Sequence, residues 1–138
     1  MTIHAFTDGA SRGNPGDSGI GIILKNEKGG LLSSNFGFIG QATNNIAEYT
    51  ALIACLKLAQ KRGCKNLIIH SDSELLVRQM EGTYKVKEPR LKKFVEQAHA
   101  LIGSADFECK FRHITRDHNK DADRLANFGI DSRRPLHI

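Results

Sequence analysis

The chain has 138 residues, of which 40% are hydrophobic and 25% charged, a balance that excludes disorder and fits one domain burying about two-thirds of its unfolded surface. No apolar run approaches the ~20 residues that cross a bilayer, and the first residues, MTIHAFTDG, lack a basic segment leading into an apolar one, so a membrane partner is excluded and a cytoplasmic location is expected. The net charge of +5 suits a polyanionic partner such as nucleic acid.

Residues 2–8, 19–25 and 31–39 read as strands, because β-branched and aromatic residues recur there between clusters of Gly, Asn and Asp. Their short links predict an antiparallel meander. The glycine-rich stretch GASRGNPG between the first two strands reads as a loop. It lacks the lysine and serine or threonine that end a nucleotide P-loop, no helix follows it, and the GxGxxG spacing is absent. From Thr43 the pattern changes to a helix, with Thr43 as its cap, a long helix-period apolar stretch and a Lys/Arg-rich last turn ending at Gly63. NLIIHSD at 66–72 reads as a buried strand, followed by a helix opened by Ser73 with Glu74 in its first turn. A third helix follows Pro89, residues 106–114 alternate like a strand, and NKDADRLANFGID forms a last helix. Cys55, Cys64 and Cys109 form no CxxC pair and read as core or surface thiols. Whether the basic end DSRRPLHI packs on the fold or hangs free is left open by the sequence, disorder being the default for a terminus. There is no repeat, low-complexity tract or linker, and residues 1–138 read as a single domain.

The order βββαβααβα predicts an α/β fold with a mixed sheet: three antiparallel strands, then two parallel strands added through right-handed crossovers. Ligands gather at the carboxyl ends of parallel strands in such sheets. Asp8 and Asp72 end two apolar runs, so parallel pairing of the first and fourth strands would bring both carboxylates out side by side. For a lone aspartate a turn or cap is the simpler account; the pair favours a site. Glu48 falls at helical spacing with Leu52, Cys55 and Ala59, while Thr50, Lys57 and Lys61 make the polar stripe. A carboxylate on the apolar side must be protonated, paired with a base or bound to a cation. In the last helix Asp117, Asp121 and Asp123 all sit near the start, where the macrodipole favours negative charge. Periodicity does not choose among them.

TDGASRGNPG, TNNIAEYTAL, IHSDSELLVRQ and HNKDADRLAN, in that order, resemble type 1 ribonuclease H, and the resemblance covers essentially the whole chain. It implies the ribonuclease H-like fold, a five-stranded mixed sheet with helices on both faces. It also implies that Asp8, Glu48, Asp72 and Asp123 are catalytic metal ligands for two Mg²⁺ ions, with Mn²⁺ as a substitute. The implied reaction is hydrolysis of the RNA strand of RNA/DNA hybrids by a two-metal mechanism, leaving 5′-phosphate and 3′-hydroxyl ends. Oxygen-only ligands suit these ions and argue against zinc.

By the same resemblance Ser11, Gly13, Asn14 and Asn45 would approach the RNA strand, where the 2′-hydroxyl distinguishes it from DNA. Thr43 and Asn44 would hold the DNA strand. Asn14 also reads as a turn residue and Thr43 as a cap, and these roles can coexist. Glu74 stands where many relatives carry glutamine, and an acid lacks that amide's donor. The segment EGTYKVKEPRLKKF is short and the chain has no Trp, so the basic protrusion of many bacterial relatives is absent; Lys85, Lys87, Arg90, Lys92 and Lys93 read as phosphate contacts or as a solvated face. His118 is the nearest candidate for the histidine that relatives place before the last aspartate, with Arg116 as its alternative, and His113 reads as structural. Double-stranded RNA is a second candidate substrate, and nothing demands more than a monomer. A binding module of the same fold that has lost cleavage is the rival reading, disfavoured by the four acids. A phosphatase using Asp8 as nucleophile is disfavoured because DGA lacks a second aspartate two residues on.

Overall fold

A computed structural model describes residues 1–138. Its strands are β1 (Thr2–Gly13), β2 (Gly16–Lys25), β3 (Leu31–Ala42), β4 (Asn66–Ser71) and β5 (Glu108–His113); its helices are α1 (Asn44–Lys61), α2 (Glu74–Glu81), α3 (Pro89–Ser104) and α4 (Lys120–Ser132), with a 3-10 turn at Arg116–His118. The sheet runs β3-β2-β1-β4-β5. Strands β1 to β3 are antiparallel, and β4 and β5 lie parallel to β1. This is the mixed sheet expected from the element order.

The strands are longer than their sequence patterns suggest. β1 and β2 remain paired out to Gly13 and Gly16, so the stretch expected to be a loop is strand, closed by Asn14 and Pro15 across a cis peptide. Glycine and small polar residues are weak strand formers alone, and pairing with a neighbouring strand overrides that preference. β3 likewise continues to Ala42, opposite Gly16.

Alternation sends Ile3, Ala5, Ile22, Leu24, Leu67 and Ile69 into one core with Leu52, Cys55, Leu56 and Ala59 of α1. Thr43 caps α1, its hydroxyl accepting from the Ile46 N–H at 3.3 Å. The Tyr49 hydroxyl donates to Gln79 Oε1 at 2.6 Å, joining α1 to α2 inside the core, and α3 packs on α1.

On the opposite face α4 packs on β1, β2 and β3. It comes close because Gly21 has no side chain: a Cβ there would fall 2.3 Å from the Ala122 carbonyl oxygen. The C-terminal segment, which the sequence left open, is packed. The Phe38 N–H donates to the Arg134 carbonyl at 2.7 Å, Leu136 packs against the core, and Arg133 pairs with Asp17 while lying over the Phe38 ring. Leu136, half-buried among the basic residues, supplies burial that a wholly polar tail lacks.

Candidate active site

Parallel pairing of β1 with β4 sets Thr7 beside Ser71, so Asp8, midway along β1, and Asp72, just past the end of β4, stand side by side on adjacent strands. Gly9 then admits α1. A Cβ at Gly9 would sit 2.4 Å from the Glu48 backbone nitrogen and 2.3 Å from the Ala47 carbonyl carbon. This close approach delivers Glu48 to the two aspartates, and one carboxylate oxygen from each of the three lies within 4.8 Å of the others. Asp8 and Glu48 are buried.

The surroundings of Glu48 test whether a cation fits. Its Oε2 atom is buried and has no hydrogen-bond partner, and no lysine or arginine pairs with it. An orphaned buried carboxylate oxygen among other carboxylates is strongly unfavourable unless a proton or a cation joins it. Burial, then Glu48 and Asp72, push the Asp8 carboxyl far above the ordinary carboxylate range. Burial raises Glu48 as well, opposed by its hydrogen bond with Asp8 and by the Arg116 charge. Without metal the cluster therefore retains a proton at neutral pH. Oxygen-only donors of this kind suit Mg²⁺ or Mn²⁺.

Around the acids opens a polar trench of about 570 Å³. Asp123 lines it from the first turn of α4 and, through a side-chain hydrogen bond, helps to raise Asp8. Ser11, Asn44, Asn45 and Arg116 also line it. Gly13, Asn14, Thr43, Glu74 and His118 lie outside its walls. Asn14 Oδ1 accepts from the Asn44 N–H at 3.0 Å, tying the β1–β2 turn to the start of α1. Glu74 faces away, its Oε1 accepting from the Tyr84 hydroxyl at 3.2 Å and its Oε2 lying 3.9 Å from His113 Nδ1. His118 Nδ1 lies 2.8 Å from the Thr115 hydroxyl, and its ring borders a neighbouring hollow.

Ser73, Lys120 and Asn127 also line the trench, which sequence reasoning did not foresee, and so does Asp117, one of the three aspartates that periodicity left open. Asn119, buried beneath the trench, was missed too. An asparagine just before a helix reads as a cap, but the Asn119 side chain makes no capping bond. Its Nδ2 donates to the Thr7 carbonyl and to Asp72 Oδ2 instead. Asn127 reads as a polar helix position, and its Nδ2 donates to the Asp123 carbonyl oxygen at 3.1 Å.

A reverse transcriptase-like family profile matches residues 6–129. Ribonuclease HI of Halobacterium salinarum is 39% identical over 129 residues, covering 94% of this chain and 64% of that protein. The crystal structure of the ribonuclease H1 from that organism superposes with a TM-score of 0.91 at 38% identity, covering 96% of this chain and 99% of the other. The chain belongs to the type 1 ribonuclease H family. Among other members of ribonuclease H type, a bifunctional protein of Mycobacterium tuberculosis is 43% identical over 133 residues, 96% of this chain and 36% of that protein. This chain therefore spans less than two-thirds of the length of either curated relative. LC11 ribonuclease H1, isolated from compost and solved in complex with an RNA/DNA hybrid, has a TM-score of 0.91 and 42% identity, covering 94% of this chain and 97% of the other.

Proposed function

We propose that the chain is an endoribonuclease that hydrolyses the RNA strand of RNA/DNA hybrids, acting as a monomeric single domain. The observation that carries this is the orphaned Glu48 oxygen inside the Asp8–Glu48–Asp72 cluster. The hybrid in the LC11 complex supports the substrate class.

Asp8, Glu48, Asp72 and Asp123 would hold two Mg²⁺ ions, which when bound supply activation of a water for in-line attack and stabilisation of the departing 3′ oxygen, leaving a 5′-phosphate. The chain's own residues prepare that chemistry. Asn119 fixes the Asp72 carboxylate, and the Gly9 approach fixes Glu48 against Asp8. Arg116 and Lys120 on the trench wall attract and orient the phosphate backbone. Ser11, Asn44 and Asn45 offer donors and acceptors to the sugar and phosphate oxygens.

The test is incubation of the purified protein with labelled RNA/DNA hybrid, RNA duplex and DNA duplex, each with Mg²⁺, Mn²⁺ or chelator. Metal-dependent cleavage of the hybrid, lost in Asp8→Asn, is the expected result. Absence of hybrid cleavage with both metals would overturn the proposal. Cleavage of RNA duplex would widen the substrate class.

A further inference from the structure

The turn that closes β1 on β2 is tied to α4 by two ion pairs of opposite polarity. Arg12 and Asp17 are cross-strand partners and stand side by side. Asp131 and Arg133, two residues apart at the end of α4, meet them with the charges reversed. Arg12 Nη1 donates to Asp131 Oδ1 at 2.6 Å, and Arg133 Nη1 donates to Asp17 Oδ2 at 3.1 Å. The Arg12 fork has a second hold on the helix, its Nη2 donating to the Asn127 carbonyl at 3.4 Å. Its hydrogen bond holds the Asp131 carboxyl below the ordinary carboxylate value. Asp17 also accepts from Gln41 Nε2 at 2.7 Å, which brings β3 into the network.

One of these ties is made at the expense of the backbone. Arg133 caps α4 at φ 53° and is the chain's only non-glycine residue with a positive φ. Helices commonly end on glycine in this left-handed conformation, because glycine has no Cβ to clash. An arginine there is strained, and the position uses its side chain: the guanidinium reaches Asp17 and lies 4.5 Å from the Phe38 ring centre. Exposed ion pairs add little to stability, so stability alone does not account for the arrangement. Position does. Ser11, which precedes Arg12, and Asn127, whose carbonyl Arg12 holds, both line the acid trench. The two pairs therefore fix the spacing between the β1 wall of the trench and its α4 wall.

We propose that Arg12, Asp17, Asp131 and Arg133 are positioning residues that hold the trench walls at the spacing of a hybrid minor groove, and so set the preference for an RNA/DNA hybrid over a DNA duplex. The proposal rests on the hydrolase reading above and names what gives that site its selectivity. An RNA strand presents 2′-hydroxyls across a wide, shallow minor groove, whereas a DNA duplex has a narrower groove without them. Walls held at one spacing distinguish the two; walls free to shift accommodate either. Phosphate contacts are common to both duplexes and carry no such information. Loss of the ties therefore lowers affinity for the hybrid and leaves affinity for the DNA duplex in place.

The test compares the wild-type protein with Arg12→Gln, Asp131→Asn, the combination of both, and Arg133→Gly. In chelator, fluorescence anisotropy measures binding of a labelled RNA/DNA hybrid and of the DNA duplex of the same sequence. Each variant should lose about fivefold of the hybrid preference, and the double variant no more than either single one, because both changes remove the same tie. The sign at Asp131 is decisive. Removal of a negative charge strengthens binding of any polyanion by electrostatics alone, whereas loss of the tie weakens binding of the hybrid. Arg133→Gly relaxes the helix end and should melt close to wild type while losing the same preference, which separates position from stability. With Mg²⁺ the loss should appear in KM for the hybrid, with kcat and the Mg²⁺ midpoint unchanged. Wild-type preference in Asp131→Asn or Arg133→Gly would overturn the proposal. So would Arg12→Gln that weakens both duplexes equally, the mark of a direct phosphate contact. Wild-type protein that binds the two duplexes alike overturns it even where the hybrid is cleaved. Selective binding without cleavage counts against the hydrolase reading alone.

Discussion

Asn119 Nδ2 donates to Asp72 Oδ2 at 3.0 Å and to the Thr7 carbonyl at 2.9 Å, so one buried amide fastens the start of α4 to both strands that present the acids. The Asp123 N–H, in turn, donates to the Asn119 carbonyl at 3.1 Å. Asn119 thus orients one carboxylate directly and places another through the helix backbone. Replacing it with alanine leaves a buried Thr7 carbonyl without its amide donor and frees the Asp72 side chain to rotate. Asn119→Ala should cost about 1–3 kcal/mol of stability and lower metal affinity or activity roughly 10- to 100-fold. Mg²⁺ titration of hybrid cleavage, read against urea unfolding in chelator, checks this. A stability loss with an unchanged Mg²⁺ midpoint would assign Asn119 a purely structural role.

The acid cluster makes metal-free stability depend on pH. Asp8 and Glu48 both have folded-state pKa values raised above the ordinary carboxylate range, chiefly by burial. At these two groups the folded chain binds more protons than the unfolded chain, two carboxyls against the one imidazole of His70 that burial pushes the opposite way, so stability declines as pH rises from about 4 through neutrality. In chelator the melting temperature should fall between about pH 5 and 8, and Mg²⁺ should restore it. Asp8→Asn removes the group with the larger shift. It should raise metal-free stability at neutral pH by about 1–2 kcal/mol, a few degrees in melting temperature, and flatten the pH dependence while abolishing cleavage. Melting curves at several pH values, with and without Mg²⁺, decide it.

These features differ in how far the chain alone reveals them. Asp8 and Asp72 were legible because each ends an apolar run, and Glu48 because a carboxylate interrupts an apolar helical stripe. Asp123 was not separable from Asp117 and Asp121 by periodicity, and the ribonuclease H resemblance singled it out. The structure gives a local reason for part of that choice. Asp121 is turned outward to Arg124 at 3.4 Å, whereas Asp123 faces the trench with Asp117. Asn119 was illegible because a capping asparagine and a buried bridging asparagine look alike one residue before a helix. The extension of β1 through its glycines was hidden because strand pairing, a long-range effect, outweighs local propensity.

The C-terminal segment should contribute measurably to stability. Pro135, Leu136 and Ile138 border an apolar hollow of about 260 Å³ with Ile20, Phe38 and Ile53. Deleting residues 134–138 exposes that surface and removes the Phe38–Arg134 backbone bond, at an expected cost of about 2 kcal/mol. Cleavage of hybrid below the lowered melting temperature should be retained, because the tail touches none of the acids. Chemical denaturation of the truncated chain checks the first expectation and a temperature series of activity the second.

Gly9 is the sharpest test of how the site is assembled. A methyl group at this position meets backbone atoms of Ala47 and Glu48 within 2.4 Å, and backbone, unlike the end of a flexible side chain, cannot swing aside. Helix α1 must move away from β1, or β1 must deform beside Asp8. Either response separates Glu48 from Asp8, so Gly9→Ala should lose about 1–3 kcal/mol through overpacking and at least about 100-fold in cleavage, since misplacement of reacting groups by an ångström has that effect. Gly21→Ala is the companion variant: it presses instead on the Ala122 carbonyl of α4 and displaces Asp123 while leaving the Asp8–Glu48 pair in place. Melting in chelator distinguishes the two, because moving α1 off β1 opens the site to water and separates Asp8 from Glu48, relieving first the burial and then the charge that raise Asp8, and should flatten the pH dependence only in Gly9→Ala. The same pH dependence in both variants would show that α1 does not deliver Glu48 through the Gly9 contact.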